Sequence, residues 1–321
     1  MEDLLIGTVT EDPGWYGQLM EQYLEGDIDF NSAGFIASAE VVSFHLLYPE
    51  VFLCFPGIAV TPLYRFLRAA ELTYSVKRGG DVLLIGSGIT VNEVAAQFLV
   101  PPDPEIVMQV LRVIHDFWKS DGFRGWDTLD VPSIPESPPL KFLDGQAVAI
   151  DPDPYIVRDL PDHLRRMRIP KGLVDLRSQT LGEFLGRKVS PGDYDAIIWN
   201  RADPIVVTSK YSEVGRILQS GNQPSPREKK AVTEATWKLF QRLIRGIQQR
   251  NGHMICTVGV GDNDDDTKSR EALVKVLRSL LGQKFLVPDL ELKEHLQQLL
   301  FGGDFGLYDG LVVLPKGMKS R

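Results

Sequence analysis

The stretch GDVLLIGSGITVNEVAA, from Gly80 to Ala96, decides how this chain is read. Val82–Ile85 is a short apolar run of strand length, Gly86-Ser87-Gly88 is a turn, and Val91, Val94 and Ala95 then recur at helical spacing. Glycines at such a junction let the backbone bend tightly and come within contact of a ligand, while the start of the helix offers free N–H groups. At the carboxyl end of a parallel strand this combination points to a nucleotide or nucleoside cofactor. The plain alternative is an ordinary strand-to-helix turn that holds two glycines, because G-x-G alone is a weak signature.

Ahead of this turn the chain reads as mostly helical. Tyr16–Leu24, Phe35–Leu47 and Leu63–Val76 carry helical periodicity, punctuated by Pro13, Pro49, Pro56 and Pro62. These segments are rich in aromatic residues, among them Trp15, Tyr16, Phe35, Phe44, Tyr48, Tyr64 and Phe66. They predict a helical N-terminal cap over residues 1–78 and a cofactor-binding domain over 79–321, with most of the rings simply packing helix against helix.

Beyond the turn, Glu105–Trp118 is an amphipathic helix on which His115 reads as a face or core residue. A proline-rich, acidic connection then leads to a second strand, Gln146–Ile150, which runs into Asp151-Pro152-Asp153-Pro154. An acid after the second strand of such a fold suits a ribose, since a carboxylate accepts hydrogen bonds from both vicinal hydroxyls. Asp151 is therefore a candidate; the alternative role, capping a helix over Tyr155–Met167, is filled at least as well by Asp153. A third strand at Gly172–Asp175 would place Asp175 and Leu176 where an adenine edge rests. A fourth, Tyr194–Trp199, makes Trp199, Asn200 and Arg201 site candidates by placement. Helices over Glu228–Gln249 and Lys268–Leu281 alternate with strands at His253–Gly261, 282–287 and Leu307–Leu314. This alternation predicts an α/β fold, a doubly wound, mostly parallel, Rossmann-like sheet.

The 321 residues carry a net charge of −8. Binding to nucleic-acid phosphates relies on clustered Lys and Arg, so a small molecule is the expected partner; a homodimer is left open. Cys54 and Cys256 lie in apolar runs and read as buried hydrophobes without a disulfide. The acidic N-terminus does not resemble a secretory signal, and no apolar run approaches membrane-spanning length, so a cytoplasmic location is expected. Asp262, Asp264, Asp265 and Asp266 form an oxygen-rich loop that lacks the glycine and glutamate of a calcium-binding EF-hand. They read as a solvated helix start, and no metal is expected.

The order of elements, with a glycine turn after the first strand, an acid after the second and a terminal strand entering as if from a hairpin, resembles the class I S-adenosylmethionine (SAM) dependent methyltransferase fold from about Gly79 onward. Leu84 stands where that family carries an acid, and Thr90 where it carries a third glycine; a nicotinamide fingerprint would need a glycine at Val91. A narrower likeness is to the nicotianamine synthases. The chain is similar to them in Ile85-Gly86-Ser87-Gly88, in Asp151-Pro152-Asp153-Pro154, and in Phe55-Pro56 followed by Tyr64 and Glu71. It departs from them at GITVN and in the extra segment from Pro101 to Gly145.

These resemblances imply SAM as cofactor, held by Gly86, Ser87, Gly88, Asp151 and Pro152, with Asp175, Leu176, Trp199 and Arg201 joining by placement. The narrower one implies transfer of the 3-amino-3-carboxypropyl arm to an amine, or ring closure of SAM itself to azetidine-2-carboxylate, releasing methylthioadenosine. An ordinary small-molecule methyltransferase and a non-catalytic SAM-binding protein are the alternatives. An attacking amine must lose a proton, and Tyr64 and Glu71, seven residues apart on one helix face, are the expected acceptors, with Asn200 a further catalytic candidate by its placement after the fourth strand.

Overall fold

In the computed structural model the described residues are 33–48, parts of 63–72, 76–86, 90–119, 136–186, 190–200, 225–250, 252–259 and 308–313. The elements are α1 (Ala33–Leu47), β1 (Gly80–Ile85), α2 (Thr90–Phe98), α3 (Pro104–Lys119), β2 (Gly145–Asp151), α4 (Tyr155–Arg158), α5 (Leu160–Arg166), β3 (Val174–Ser178) and α6 (Leu181–Gly186). A 3-10 turn (Pro191–Asp193), β4 (Ala196–Asn200), α7 (Pro226–Arg250), β5 (His253–Gly259) and β6 (Tyr308–Val313) complete them. Residues described between 63 and 72 are helical. The expected helices at Tyr16–Leu24 and Lys268–Leu281, the strand at 282–287, and the Asp262–Asp266 loop lie outside the described residues.

The strands pair in the order β3-β2-β1-β4-β5-β6. Every pairing from β3 to β5 is parallel, and β6 runs antiparallel to β5. Val82, Leu83, Leu84 and Ile85 are all fully buried, because β1 is central and covered on both faces, which is why it reads as an unbroken apolar run. Val82, Leu84, Ala147, Ala149, Ala196 and Ile198 face one apolar cluster, which also takes in residues of α1, α2 and α5. Leu83, Ile85, Ile150, Ile197 and Trp199 face the other, against α6 and α7. The fold is Rossmann-like, as expected.

The first cluster joins Val41, Phe44, Leu63 and Leu67 to Val82 and Leu84 of β1, so the described N-terminal helices share the core of the sheet. The extra segment from Pro101 to Gly145 is tied down at its two ends. The Val100 N–H donates to the Lys141 carbonyl at 3.0 Å and the Leu143 N–H to the Phe98 carbonyl at 2.7 Å, so its length does not disturb the β1–β2 pairing.

Two expected elements are corrected. The helix expected over Tyr155–Met167 divides into α4 and α5 at Asp159, because Pro161 in the first turn of α5 has no N–H with which to continue α4. The third strand is Val174–Ser178, not Gly172–Asp175; Gly172 is in the preceding turn with φ +90°. As an edge strand, β3 is half-buried along most of its length, so no continuous apolar run marks it.

Candidate functional site at the carboxyl edge of the sheet

β1 lies between β2 and β4, so the chain reverses its order across the sheet there, and the crevice outside the carboxyl ends of these strands is where ligands bind in folds of this kind. Gly86 ends β1 with φ +65°, in the left-handed region that glycine enters without steric cost, and its N–H donates to the Ile150 carbonyl at 2.9 Å. Because Ile85 pairs with Ile150, Gly86 stands beside Asp151 on the next strand. The glycine turn and the acid are thus neighbours. α2 begins at Thr90, close after the turn, and its first N–H groups belong to the same edge. Ser87 and Gly88 lie outside the described residues.

Asp151 is the last residue of β2 and is 9% exposed. Its Oδ1 accepts the Asp153 N–H at 2.8 Å, closing a tight turn, while Asp153 Oδ1 accepts the Tyr155 N–H at 3.0 Å at the start of α4. Neither acid is the cap, because Pro154 holds the N-cap of α4 without a side-chain cap bond; Asp153 closes a turn onto the first residue of α4, and Asp151 holds the turn ahead of it. Pro152 is buried beside it, and its carbonyl accepts from the Ser178 hydroxyl at 3.5 Å.

The corrected position of β3 changes the membership of the site. Asp175 pairs with Val148, three residues below the Asp151–Ser178 pair at the edge. Its carboxylate accepts from Arg177 Nε at 2.8 Å, and Leu176 packs against the first apolar cluster, so neither stands at the carboxyl edge. Gln179 takes that place. Its N–H donates to the Asp151 carbonyl at 3.0 Å, its side chain is buried at 6% exposure, and its amide Nε2 has no hydrogen-bond partner. A buried donor of this kind costs about 1–3 kcal/mol until an acceptor reaches it. The missed signal is local: Thr180 and Glu183 form a capping box, with the Thr180 N–H on Glu183 Oε2 at 2.7 Å and the Glu183 N–H on Thr180 Oγ1 at 3.2 Å. A T-x-x-E read as a helix start puts the end of the strand just before it.

On β4, Trp199 pairs with Ile85 and is buried in the second cluster, beneath the edge. Asn200 is the last residue of β4; its side chain, and Arg201, lie outside what is described.

Tyr64 and Glu71 are placed elsewhere. The Tyr64 hydroxyl donates to Glu40 Oε2 at 2.8 Å, Arg68 Nη1 donates to Glu71 Oε2 at 2.8 Å, and Arg68 Nε donates to Glu40. The Arg78 guanidinium lies 4.7 Å over the Tyr64 ring and 3.7 Å from Glu71 Oε2. Arg78 also donates to the carbonyls of Ala96 and Leu99, at the end of α2 remote from the glycine turn. It precedes β1, whose length of about 20 Å separates this network from Gly86. Burial, and next Glu40, hold the Tyr64 phenol protonated far above its ordinary range. Tyr64 is thus a buried donor to Glu40, and the pair expected to accept a proton beside the cofactor sits at the amino end of the sheet.

Among the described residues no group of His, Cys, Asp and Glu could hold a metal ion, and no helix is long and apolar enough to cross a membrane. No family model matches the chain. No curated protein matches it either. Among solved structures it is similar to a "putative rRNA-methylase" from Clostridium thermocellum, with 10% identity over 79% of this chain and 96% of that one, at a TM-score of 0.37. It is also similar to a methyltransferase homolog protein from Pyrococcus horikoshii, with 12% identity over 62% of this chain and 43% of that one, at a TM-score of 0.25. Likeness at this level carries nothing about the cofactor or the reaction.

Proposed function

We propose that the chain is a SAM-dependent transferase acting on a small molecule, and that it transfers the methyl group. The observation that supports this most is the juxtaposition at the switch point, with the left-handed Gly86 beside Asp151 and the unpaired Gln179 amide on the adjoining strand end. Such an edge suits an adenosine. The turn and the α2 start approach its polar groups, the carboxylate suits the ribose hydroxyls, and the amide suits an acceptor on the base. The antiparallel β6 beside β5 fits the class I methyltransferase resemblance better than an all-parallel dinucleotide-binding sheet.

Methyl transfer needs the acceptor in line with the S–CH₃ bond, and holding it about 3–3.5 Å away supplies most of the rate. It does not require the Tyr64–Glu71 pair, which belongs to the buried network at the other end of β1. Aminocarboxypropyl transfer is kept as a second reading on one feature, the Asp151-Pro152-Asp153-Pro154 turn that the nicotianamine synthase likeness rests on. Incubation with SAM and candidate acceptors, followed by identification of the released nucleoside, tests both. S-adenosylhomocysteine is expected; methylthioadenosine would establish the second reading. Bound SAM with neither product would make the protein a non-catalytic binder.

A further inference from the structure

A groove lies on the side of the sheet covered by α7. The 3-10 turn Pro191–Asp193 docks on the C-terminal part of α7, and the two bound a groove of about 560 Å³. Gly246 makes the docking close: a Cβ there would fall 2.4 Å from the Pro191 Cβ and 2.7 Å from the Gly192 nitrogen. Ser190 and Pro191 form one wall, and Lys238, Arg242, Arg245 and Gln249 the other. The three cations occupy positions i, i+4 and i+7 of α7, so they share one helix face over about 10 Å.

Among the described residues lining the groove, every charged one is positive, in a chain whose net charge is −8. The nearest acid of the turn, Asp193, is turned to its own backbone, accepting the Ser190 N–H at 3.2 Å. Among the described residues Lys238 and Arg245 form no ion pair, so an anion that reaches both meets two uncompensated cations seven residues apart on that face. The volume is that of a small-molecule site, and Gln241, Gln249 and Ser190 add neutral hydrogen-bonding groups. The turn precedes β4 and α7 ends before β5, so the groove sits toward the amino edge, away from Gly86 and Asp151.

We propose that this groove binds a small anion carrying two or more phosphate groups, at a site separate from the cofactor edge. The proposal does not depend on the reading of that edge. It is tested by titrating inorganic tripolyphosphate, and separately sodium sulfate, into the full chain and into Lys238→Ala, Arg245→Ala and the double variant. Lys238 and Arg245 are exposed, so the variants keep the core intact, which their melting temperatures check. Tripolyphosphate is expected to bind one to one and about tenfold or more tighter than sulfate, with each single variant weakening it about fivefold and the double variant further. Undiminished affinity in the double variant, equal affinity for sulfate, a stoichiometry above one, or binding only of a single-stranded RNA oligomer would each overturn the proposal.

Discussion

Among its described neighbours, Asp151 accepts from the Gln179 N–H through its carbonyl and closes the turn onto Asp153 through its carboxylate. Asp151→Asn keeps an acceptor oxygen for the turn and removes the charge. The variant is expected to melt within a few degrees of the parent while binding SAM about tenfold more weakly, a loss of about 1.4 kcal/mol, measured by calorimetric titration. Gln179 gives a complementary test, because its Nε2 is buried without a partner. Gln179→Met removes that group and should stabilise the unliganded protein by about 1 kcal/mol or more while lowering SAM affinity. Higher stability with unchanged SAM affinity would remove Gln179 from the site. Its place was legible only through Thr180 and Glu183, whose capping box fixes where β3 must have ended.

Each element was legible in proportion to how locally its causes are written. β1 is buried on both faces, and a run of four large apolar residues can do little else. β3, at the sheet edge, alternates Val-Asp-Leu-Arg-Ser and gives no such run, so the expected bounds fall two residues early at its start and three at its end. The spacing of Tyr64 and Glu71 fixes their shared helix face but not the end of the sheet that the face meets. That is set by Arg78, which reaches from the start of β1 to the Ala96 and Leu99 carbonyls, contacts distant in sequence. Tyr64→Phe and Glu71→Gln are accordingly expected to leave SAM affinity unchanged. Glu40→Ala, which strips a nearly fully buried carboxylate from Arg68 and Tyr64, should destabilise by about 3–5 kcal/mol in urea unfolding.

The molecule as a whole acquires a pH dependence from its buried histidine. His253 is at the start of β5 at 4% exposure, and burial pushes its imidazole down to about 4, against the weaker opposing field of Asp195. The unfolded chain therefore takes up a proton near pH 6.5 that the folded chain refuses until about pH 4. This part of the stability is fully present above pH 6.5 and is lost as the pH falls toward 4, on the order of 3 kcal/mol in total. His253→Gln should flatten unfolding free energies measured between pH 7 and pH 4.5. The same sheet carries, at its carboxyl edge, the Gly86–Asp151 juxtaposition proposed to bind SAM. Calorimetric titration of SAM into the full chain is expected to show one saturable site per chain, weakened about tenfold by Asp151→Asn and untouched by Glu71→Gln. Absence of SAM binding, or binding that Asp151→Asn leaves unchanged, would contradict that proposal.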